Sequence, residues 1–186
     1  MNGFFLAIGK QGTGKSLFMM KLLVDSYHEK KRPIYSNTTI FELPYTPIVR
    51  IKEEGKKYKP DTIGFLTQLI KNADFFNNSI IIIDEIHIYF DSMDFMRKHN
   101  RIAQTFFSQL RKRKILLLGT SQYLMNVDIR IRRQCSNVFD MTHVYKDLFT
   151  VATHEIDGYF TNEISCYNIV LNDYYKYYDT NEIITQ

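Results

Sequence analysis

The amino-acid sequence predicts one α/β domain over residues 1–186, with a mostly parallel sheet, helices on both faces and a small antiparallel extension near the C-terminus. Three observations indicate this fold. A glycine-rich loop at residues 9–16 lies between an apolar run and a helical pattern. Two further apolar runs, at 80–83 and 115–118, each end in polar residues, as buried parallel strands do. The last third of the chain reads as a series of strands joined by short turns.

Composition and charge narrow the classes of protein. With 186 residues, 45% of them hydrophobic, the chain is long enough to bury a core. Its net charge of +4 permits a nucleic-acid partner without arguing strongly for one. Cys135 and Cys166 form no C-x-x-C pair, so neither a disulfide framework nor a zinc site is indicated. No apolar run approaches the roughly 18 residues of a membrane span, and no leader pattern is present, so we expect a cytoplasmic protein without a membrane span.

The first motif matches the phosphate-binding pattern G-x-x-x-x-G-K-[ST]. It consists of Gly9, Lys10, Gln11, Gly12, Thr13, Gly14, Lys15 and Ser16. The glycines allow the backbone to approach a triphosphate closely and to aim N–H groups at it. Lys15 adds a positive charge near the β- and γ-phosphates, and Ser16 offers a hydroxyl to Mg²⁺. Because residues 3–8 read as a buried strand and residues 17–23 open a helix, the loop has the setting that the motif requires, and we expect ATP to bind there.

The stretch that follows predicts less regular structure. We expect the first helix to end near residues 29–32 and a short strand to follow at 33–36. Residues 37–59 contain two prolines and the charged run 52–57, and we predict an exposed excursion with one strand at 48–51. The charged run is either a solvated loop or a DNA-contacting one. Residues 60–62 look like a helix start.

The second motif is the apolar run Ile80–Ile83 followed by Asp84 and Glu85. Four β-branched residues in a row predict a strand buried on both faces, and open α/β sheets bind ligands at the carboxyl ends of their strands. Asp84 would hold the Mg²⁺ that bridges the phosphates, and Glu85 would polarise the attacking water as general base. Many strands end in acids without a function, but the complete phosphate loop upstream favours the catalytic interpretation.

Residues 94–114 are predicted to form one helix with a basic surface. Phe95, Ile102, Phe106 and Leu110 have the spacing of a buried face. The basic residues are Arg97, Lys98, His99, Arg101, Arg111, Lys112, Arg113 and Lys114. Such a surface could follow duplex phosphates without reading bases. Alternatively, the last four cations complement the negative end of the helix dipole and are solvated.

A third apolar strand, at residues 115–118, ends in Gly119-Thr120-Ser121-Gln122. If this strand is parallel and adjacent to the Asp84 strand, Gln122 lies close to the γ-phosphate and could orient the water or report phosphate. The alternative is a glutamine that satisfies a loop. Residues 128–134 are predicted to be helical, and Arg130 and Arg133 are candidates for an arginine finger that reaches a neighbouring subunit. Solvated or DNA-facing arginines remain the alternative there.

The last third of the chain predicts three strands, at residues 137–144, 148–154 and 164–171, the first two joined by a short turn at 145–147. The tyrosine-rich cluster at residues 174–178 either packs against the sheet or stacks on single-stranded bases.

Taken in this order, the motifs resemble the ATPases of the FtsK–HerA branch of P-loop proteins. Within that branch the chain is similar to the small viral genome-packaging ATPases and to the Zot-like domains of filamentous phages. The resemblance rests on residues 9–16, 80–85 and 119–122, helped by 128–130 and 178–182. It implies a RecA-like P-loop NTPase core, a homo-oligomeric ring, an arginine finger, and the site residues named above in the roles already given.

The function that this resemblance implies is Mg²⁺-dependent ATP hydrolysis that drives packaging of double-stranded DNA, with a capsid or assembly protein as a further partner. The protein would act in the host cytoplasm or with the virion. Zot-like phage proteins usually carry a membrane span beyond this domain, and its absence here favours the packaging motor. The alternatives are a Zot-like phage assembly ATPase, a small-molecule kinase whose lid would include residues 130–133, and an ATP-gated scaffold with little turnover.

Overall fold

In the part of the chain that is described, helices separate some of the strands, and three long strands follow the last α-helix. The structure, a computed structural model, describes residues 1–47, 51–54, 57–60, 73–92, 98–157 and 160–178. The first elements are β1 (Gly3–Ile8), α1 (Lys15–Lys30), β2 (Ile34–Ser36), β3 (Thr46–Pro47), β4 (Ile51–Glu54) and β5 (Lys57–Pro60). They are followed by β6 (Ile80–Ile83), α2 (Lys98–Ser108), β7 (Leu116–Ser121), α3 (Ile129–Arg132), β8 (Cys135–Tyr145), β9 (Leu148–Asp157) and β10 (Phe160–Val170).

The main sheet has the order β10-β9-β8-β1-β7-β6-β2-β3. All neighbours from β8 to β3 are parallel, whereas β9 and β10 are antiparallel to their neighbours. The predicted parallel sheet with an antiparallel C-terminal extension is therefore confirmed. Residues 3–8 of β1 pair in register with 116–121 of β7, and residues 80–83 of β6 pair with 116–119. The carboxyl ends of β1, β6 and β7 consequently lie side by side at one edge of the sheet.

Both faces of the parallel sheet are covered, as successive residues of β1 show. Phe4 packs edge-on against Phe107 of α2, with ring centroids 5.1 Å apart. The next residue, Phe5, faces the other way and stacks on Phe139 at 6.3 Å, and Phe139 in turn contacts Phe18 of α1 at 5.0 Å. Helix α1 thus packs on one face and α2 on the other, which confirms the predicted two-sided arrangement.

The second helix ends at Ser108, so the prediction of a helix up to Lys114 is wrong; residues 93–97 lie outside the described residues. After Phe106 the backbone hydrogen bonds join residues three apart, as in a 3₁₀ turn. The Gln109 N–H donates to the Phe106 carbonyl at 3.0 Å. The chain then folds back, and Ile115 N–H donates to the Leu110 carbonyl at 2.9 Å. The basic residues 111–114 therefore occupy a turn before β7 rather than a helix surface.

Part of the predicted exposed excursion is a hairpin. Strands β4 and β5 pair antiparallel, with Lys52 opposite Lys59 and Glu54 opposite Lys57. The prediction of an irregular loop over the charged run is therefore wrong where β4 and β5 pair. The strand predicted at 48–51 falls mostly outside the described residues, as does the helix predicted from residues 60–62 apart from Pro60.

The C-terminal strands are confirmed and are longer than predicted, and the chain after them forms a 3₁₀ helix over Asn172–Tyr177. Tyr174, Tyr177 and Tyr178 pack half-buried against the apolar core on the α1 side, which favours the packing interpretation of this cluster. Within the described ranges, none of the helices combines the length and the apolar character that crossing a bilayer requires.

Candidate functional site

The predicted site residues meet at the carboxyl edge of the parallel strands. The phosphate loop follows β1, Asp84 and Glu85 follow β6, and Gln122 follows β7. The Gly9 N–H donates to the Gln122 carbonyl oxygen at 3.3 Å, which ties the end of β7 to the start of the loop. Strand order alone therefore brings together three segments that are far apart in sequence.

The phosphate loop closes on one of its own carbonyl groups. The Lys10 carbonyl oxygen accepts hydrogen bonds from the Thr13 N–H at 3.3 Å, the Thr13 hydroxyl at 2.8 Å and the Lys15 ammonium at 3.0 Å. Helix α1 begins at Lys15, so the first N–H groups of the helix lie at the end of the loop. The loop is thus held in a compact turn at the positive end of a helix.

Two glycines of the loop differ in what surrounds them, although both have left-handed backbone angles. Gly12 has φ 78° and Gly14 has φ 82°. A Cβ at Gly12 would meet no atom within 4 Å, whereas a Cβ at Gly14 would lie 2.7 Å from the ring of Phe149 on β9. The antiparallel extension therefore packs against the phosphate loop at Gly14.

We expect Gly14→Ala to lower the free energy of unfolding by about 2–5 kcal/mol, since left-handed strain costs about 1–2 kcal/mol and overpacking about 1–3. Gly12→Ala is the matched control and should cost only the strain, about 1–2 kcal/mol. Urea unfolding of both variants measures the difference. Equal losses for the two variants would show that Phe149 does not constrain the loop.

Lys15 lies 6% exposed at the beginning of α1. Burial lowers the pKa of its ammonium group, while the nearby charges of Glu85 and Asp84 raise it. A cation that is desolvated and faces two carboxylates is poised to exchange its contact with the Lys10 carbonyl for a more strongly charged phosphate oxygen.

Asp84 is buried and receives hydrogen bonds on both carboxylate oxygens. Ser16 donates to Oδ1 at 2.9 Å, Thr120 donates to the same oxygen, and the Tyr178 hydroxyl donates to Oδ2 at 3.2 Å. Asn37 holds the backbone of Asp84, accepting from its N–H at 2.7 Å and donating to its carbonyl at 2.8 Å. The carboxylate and the Ser16 hydroxyl are hard oxygen donors in contact, a donor set that fits Mg²⁺.

Glu85 stands at a left-handed backbone position, φ 50°, where its N–H donates to the Thr120 hydroxyl oxygen at 2.9 Å. Burial raises the pKa of its carboxyl group, the negative charge of Asp84 adds to this, and Lys15 opposes it. His87 Nδ1 lies 3.2 Å from Oε2, within ion-pair distance for a protonated imidazole, but makes no hydrogen bond to it. Among the described residues, this buried oxygen has no hydrogen-bond donor, so Glu85 retains an acceptor for a proton.

The arginines predicted as finger candidates lie on or beside α3. Asp128 is fully buried and caps this helix, and its carboxylate also binds the Arg130 guanidinium through Nε at 2.9 Å and Nη2 at 2.6 Å. That pairing raises the pKa of Arg130. Arg133, one turn later, has an exposed side chain. Arg130 would have to exchange its carboxylate partner to act on a neighbouring subunit.

Four residues that contact the acidic pair had no role predicted from the sequence: Asn37, His87, Thr120 and Tyr178. Asn37 and Thr120 lie at the carboxyl ends of strands next to β6, so the rule that predicted Gln122 applies to them as well. His87 lies two residues after Glu85. Tyr178 follows Asp84 by 94 residues, and no spacing pattern in the sequence indicates their contact.

Solved structures share this fold. The N-terminal domain of zonular occludens toxin from Neisseria meningitidis matches with TM-score 0.69 and 16% identity, over 96% of this chain and 100% of that chain. The genome packaging NTPase B204 from Sulfolobus turreted icosahedral virus 2, in complex with ATP-gammaS, matches with TM-score 0.56 and 11% identity, over 81% of this chain and 91% of that chain. The DNA-packaging ATPase B204 from Sulfolobus turreted icosahedral virus matches with TM-score 0.55 and 14% identity, over 82% of this chain and 93% of that chain. These similarities confirm the predicted fold.

No curated protein matches the sequence. The profile of one family, the ATPase family associated with various cellular activities (AAA), matches residues 5–142. This match covers most of the chain and includes the phosphate loop, the acidic pair after β6 and the end of β7. The chain therefore belongs to the ATPase family associated with various cellular activities.

Proposed function

We propose that this ATPase hydrolyses ATP in a Mg²⁺-dependent reaction and that hydrolysis drives movement of double-stranded DNA by a homo-oligomer, with packaging into a viral capsid as its setting. The observation that carries the proposal is the contact between Ser16 and Asp84, with Lys15 and Glu85 beside it. It supports the proposal because a hydroxyl, two carboxylates and an ammonium group lie together at the end of one phosphate loop, where they could bind a metal, bind phosphate and accept a proton.

Ser16 and Asp84 would hold Mg²⁺, since their hydroxyl and carboxylate oxygens are the ligands it prefers. When bound, the ion neutralises charge on the β- and γ-phosphate oxygens. Lys15 would bind the same oxygens from the loop side. Their hydrogen bonds in the protein would be exchanged for contacts to the ion and the nucleotide.

Glu85 would accept a proton as the water oxygen bonds to the γ-phosphorus and the bond to the ADP oxygen breaks. Its buried acceptor oxygen and raised pKa suit that task, because a base works best when its pKa approaches the working pH. Gln122 would orient the water from the end of the neighbouring strand. An arginine from another subunit, Arg133 or Arg130, would stabilise charge on the transferring phosphate.

A basic turn at the opposite edge of the sheet supports the DNA-binding part of the proposal. Residues 111–114 lie just before β7, and the side chains of Lys112 and Lys114 are exposed. They border an open surface pocket of about 460 Å³, where the Arg113 guanidinium pairs with Asp74 at 2.7 Å. Cations at this position could contact phosphates without approaching the nucleotide site.

We expect the double variant Lys112→Glu/Lys114→Glu to bind duplex DNA more weakly. The slope of log K against the logarithm of salt concentration should be about 2 less steep, by about one for each lost phosphate contact. Lys146→Glu makes the same charge change in the turn between β8 and β9, beyond the carboxyl edge, and should retain DNA affinity. Binding at several salt concentrations measures both. If Lys146→Glu causes the larger loss, DNA binds at the other edge.

The proposed coupling is tested by steady-state phosphate release from ATP and Mg²⁺, with and without long duplex DNA, at low and high salt. Stimulation by DNA that fades as salt rises is the expected result. Turnover that is indifferent to DNA at every salt concentration would contradict the motor.

The kinase alternative needs a mobile lid at residues 130–133. Ile131 is fully buried and a buried aspartate caps α3, which counts against such a lid.

A further inference from the structure

The segment Leu171–Tyr178 connects the far edge of the sheet to the nucleotide site. It begins after β10, where Leu171 is fully buried and its N–H donates to the Asp147 carbonyl at 3.1 Å. It then packs against α1, where the Tyr174 hydroxyl donates to Asp25 at 3.3 Å. Along this path the chain passes over the helix that follows the phosphate loop.

The end of this segment is fixed beside β2. The Phe41 N–H donates to the Tyr177 carbonyl at 3.1 Å, and Tyr178 pairs with Ile40 in an antiparallel bridge. Ile40 is buried, and the rings of Tyr177 and Tyr178 pack against the same core. The position of Tyr178 is thus set by backbone pairing and packing, independently of its hydroxyl group.

The Tyr178 hydroxyl donates to Asp84 Oδ2 at 3.2 Å, while Ser16 and Thr120 occupy Oδ1. The terminal torsion of an aspartate is broad, so rotamer preference alone does not fix which way its carboxylate faces. A donor on each oxygen does fix it. Without the Tyr178 hydroxyl, the hydrogen bonds from Ser16 and Thr120 both fall on Oδ1.

We infer that Tyr178 is a positioning residue for Asp84. Its hydroxyl group holds the Asp84 carboxylate in the orientation that binds Mg²⁺ together with the nucleotide. The inference rests on the proposed function, because it assigns a partner to the proposed metal ligand. Groups that orient metal ligands typically change metal affinity about 10–100-fold when removed. Tyr178 acts through Asp84 in this role.

The test compares Tyr178→Phe with Tyr174→Phe. Each variant removes one hydroxyl that donates to an aspartate, and both lie in the same segment, but only Tyr178 contacts Asp84. The affinity for a fluorescent, non-hydrolysable ATP analogue is measured over a Mg²⁺ titration and in EDTA. For Tyr178→Phe we expect the Mg²⁺ concentration at half-effect to rise about tenfold, with unchanged affinity in EDTA. Tyr174→Phe should match the wild type in both.

Three results would overturn the inference. Identical Mg²⁺ titrations for Tyr178→Phe and Tyr174→Phe would show that the hydroxyl does not orient Asp84. A loss of affinity for Tyr178→Phe in EDTA equal to the loss in Mg²⁺ would assign Tyr178 a purely structural role. If the wild-type chain itself does not bind the analogue, the proposed function fails and the inference fails with it.

Discussion

Replacing Glu85 with glutamine is expected to lower steady-state ATP turnover by roughly 10²–10⁴-fold, the usual contribution of a general base. Glutamine keeps the shape of the side chain and one acceptor oxygen but cannot accept the proton of the attacking water. The Glu85 backbone, which donates to Thr120, is unchanged, so the turn after β6 should persist. ATP should therefore still bind, because the loop and Lys15 are intact.

Phosphate release and binding of a fluorescent ATP analogue, measured on the same preparation, separate these two effects. Glu155→Gln is the matched control, since Glu155 is an exposed glutamate on β9 and its replacement makes the same chemical change. This control should turn over ATP like the wild type. Undiminished turnover in Glu85→Gln would remove Glu85 from the role of base.

Replacing Lys15 with methionine is expected to weaken ATP binding and to lower turnover, each on the order of 100-fold, as loss of a charged donor to the transferring phosphate does. Methionine is unbranched and apolar, so it suits a side chain that is only 6% exposed. The effect should therefore come from the missing charge rather than from a disrupted fold. In contrast to Glu85→Gln, the loss should be visible in binding as well as in turnover.

Lys21→Met is the control for this change. Lys21 lies on the same helix and its ammonium group pairs with Asp25 at 2.5 Å, away from the loop. Urea unfolding confirms that both variants fold, and analogue binding then compares them. Equal binding by Lys15→Met and the wild type would show that the lysine does not contact phosphate.

The sequence allowed the fold and most of the proposed site to be predicted because the relevant residues follow buried strands. An apolar run such as Ile80–Ile83 has few alternatives to a central strand, and polar residues just after such strands must meet at one edge. The same reasoning, extended to the other neighbour of β6, would have added Asn37. Thr120 was part of the quoted strand end, and only its role was missed.

Other features leave no pattern in the sequence. The β4–β5 hairpin carries charges without an apolar alternation, so its backbone pairing has no signature in residue type. The spacing of Phe106 and Leu110 fits a continuous helix, but it also fits the observed helix followed by a turn. Both arrangements bury these two side chains, so the spacing does not distinguish them. The contact of Tyr178 with Asp84 depends on the path of the C-terminal segment over α1, which local sequence does not encode.

The fate of the γ-phosphate distinguishes ATP hydrolysis from ATP binding alone and from phosphate transfer to another molecule. The chain is incubated with Mg²⁺ and ATP labelled on the γ-phosphate, and the products are separated by chromatography, with Lys15→Met prepared in parallel to reveal any contaminating ATPase. We expect the label to appear as inorganic phosphate, chelation of Mg²⁺ to stop this release, and Lys15→Met to lose it. Label that stays in ATP, is released equally by Lys15→Met, or appears on an added acceptor would rule out ATP hydrolysis at this site.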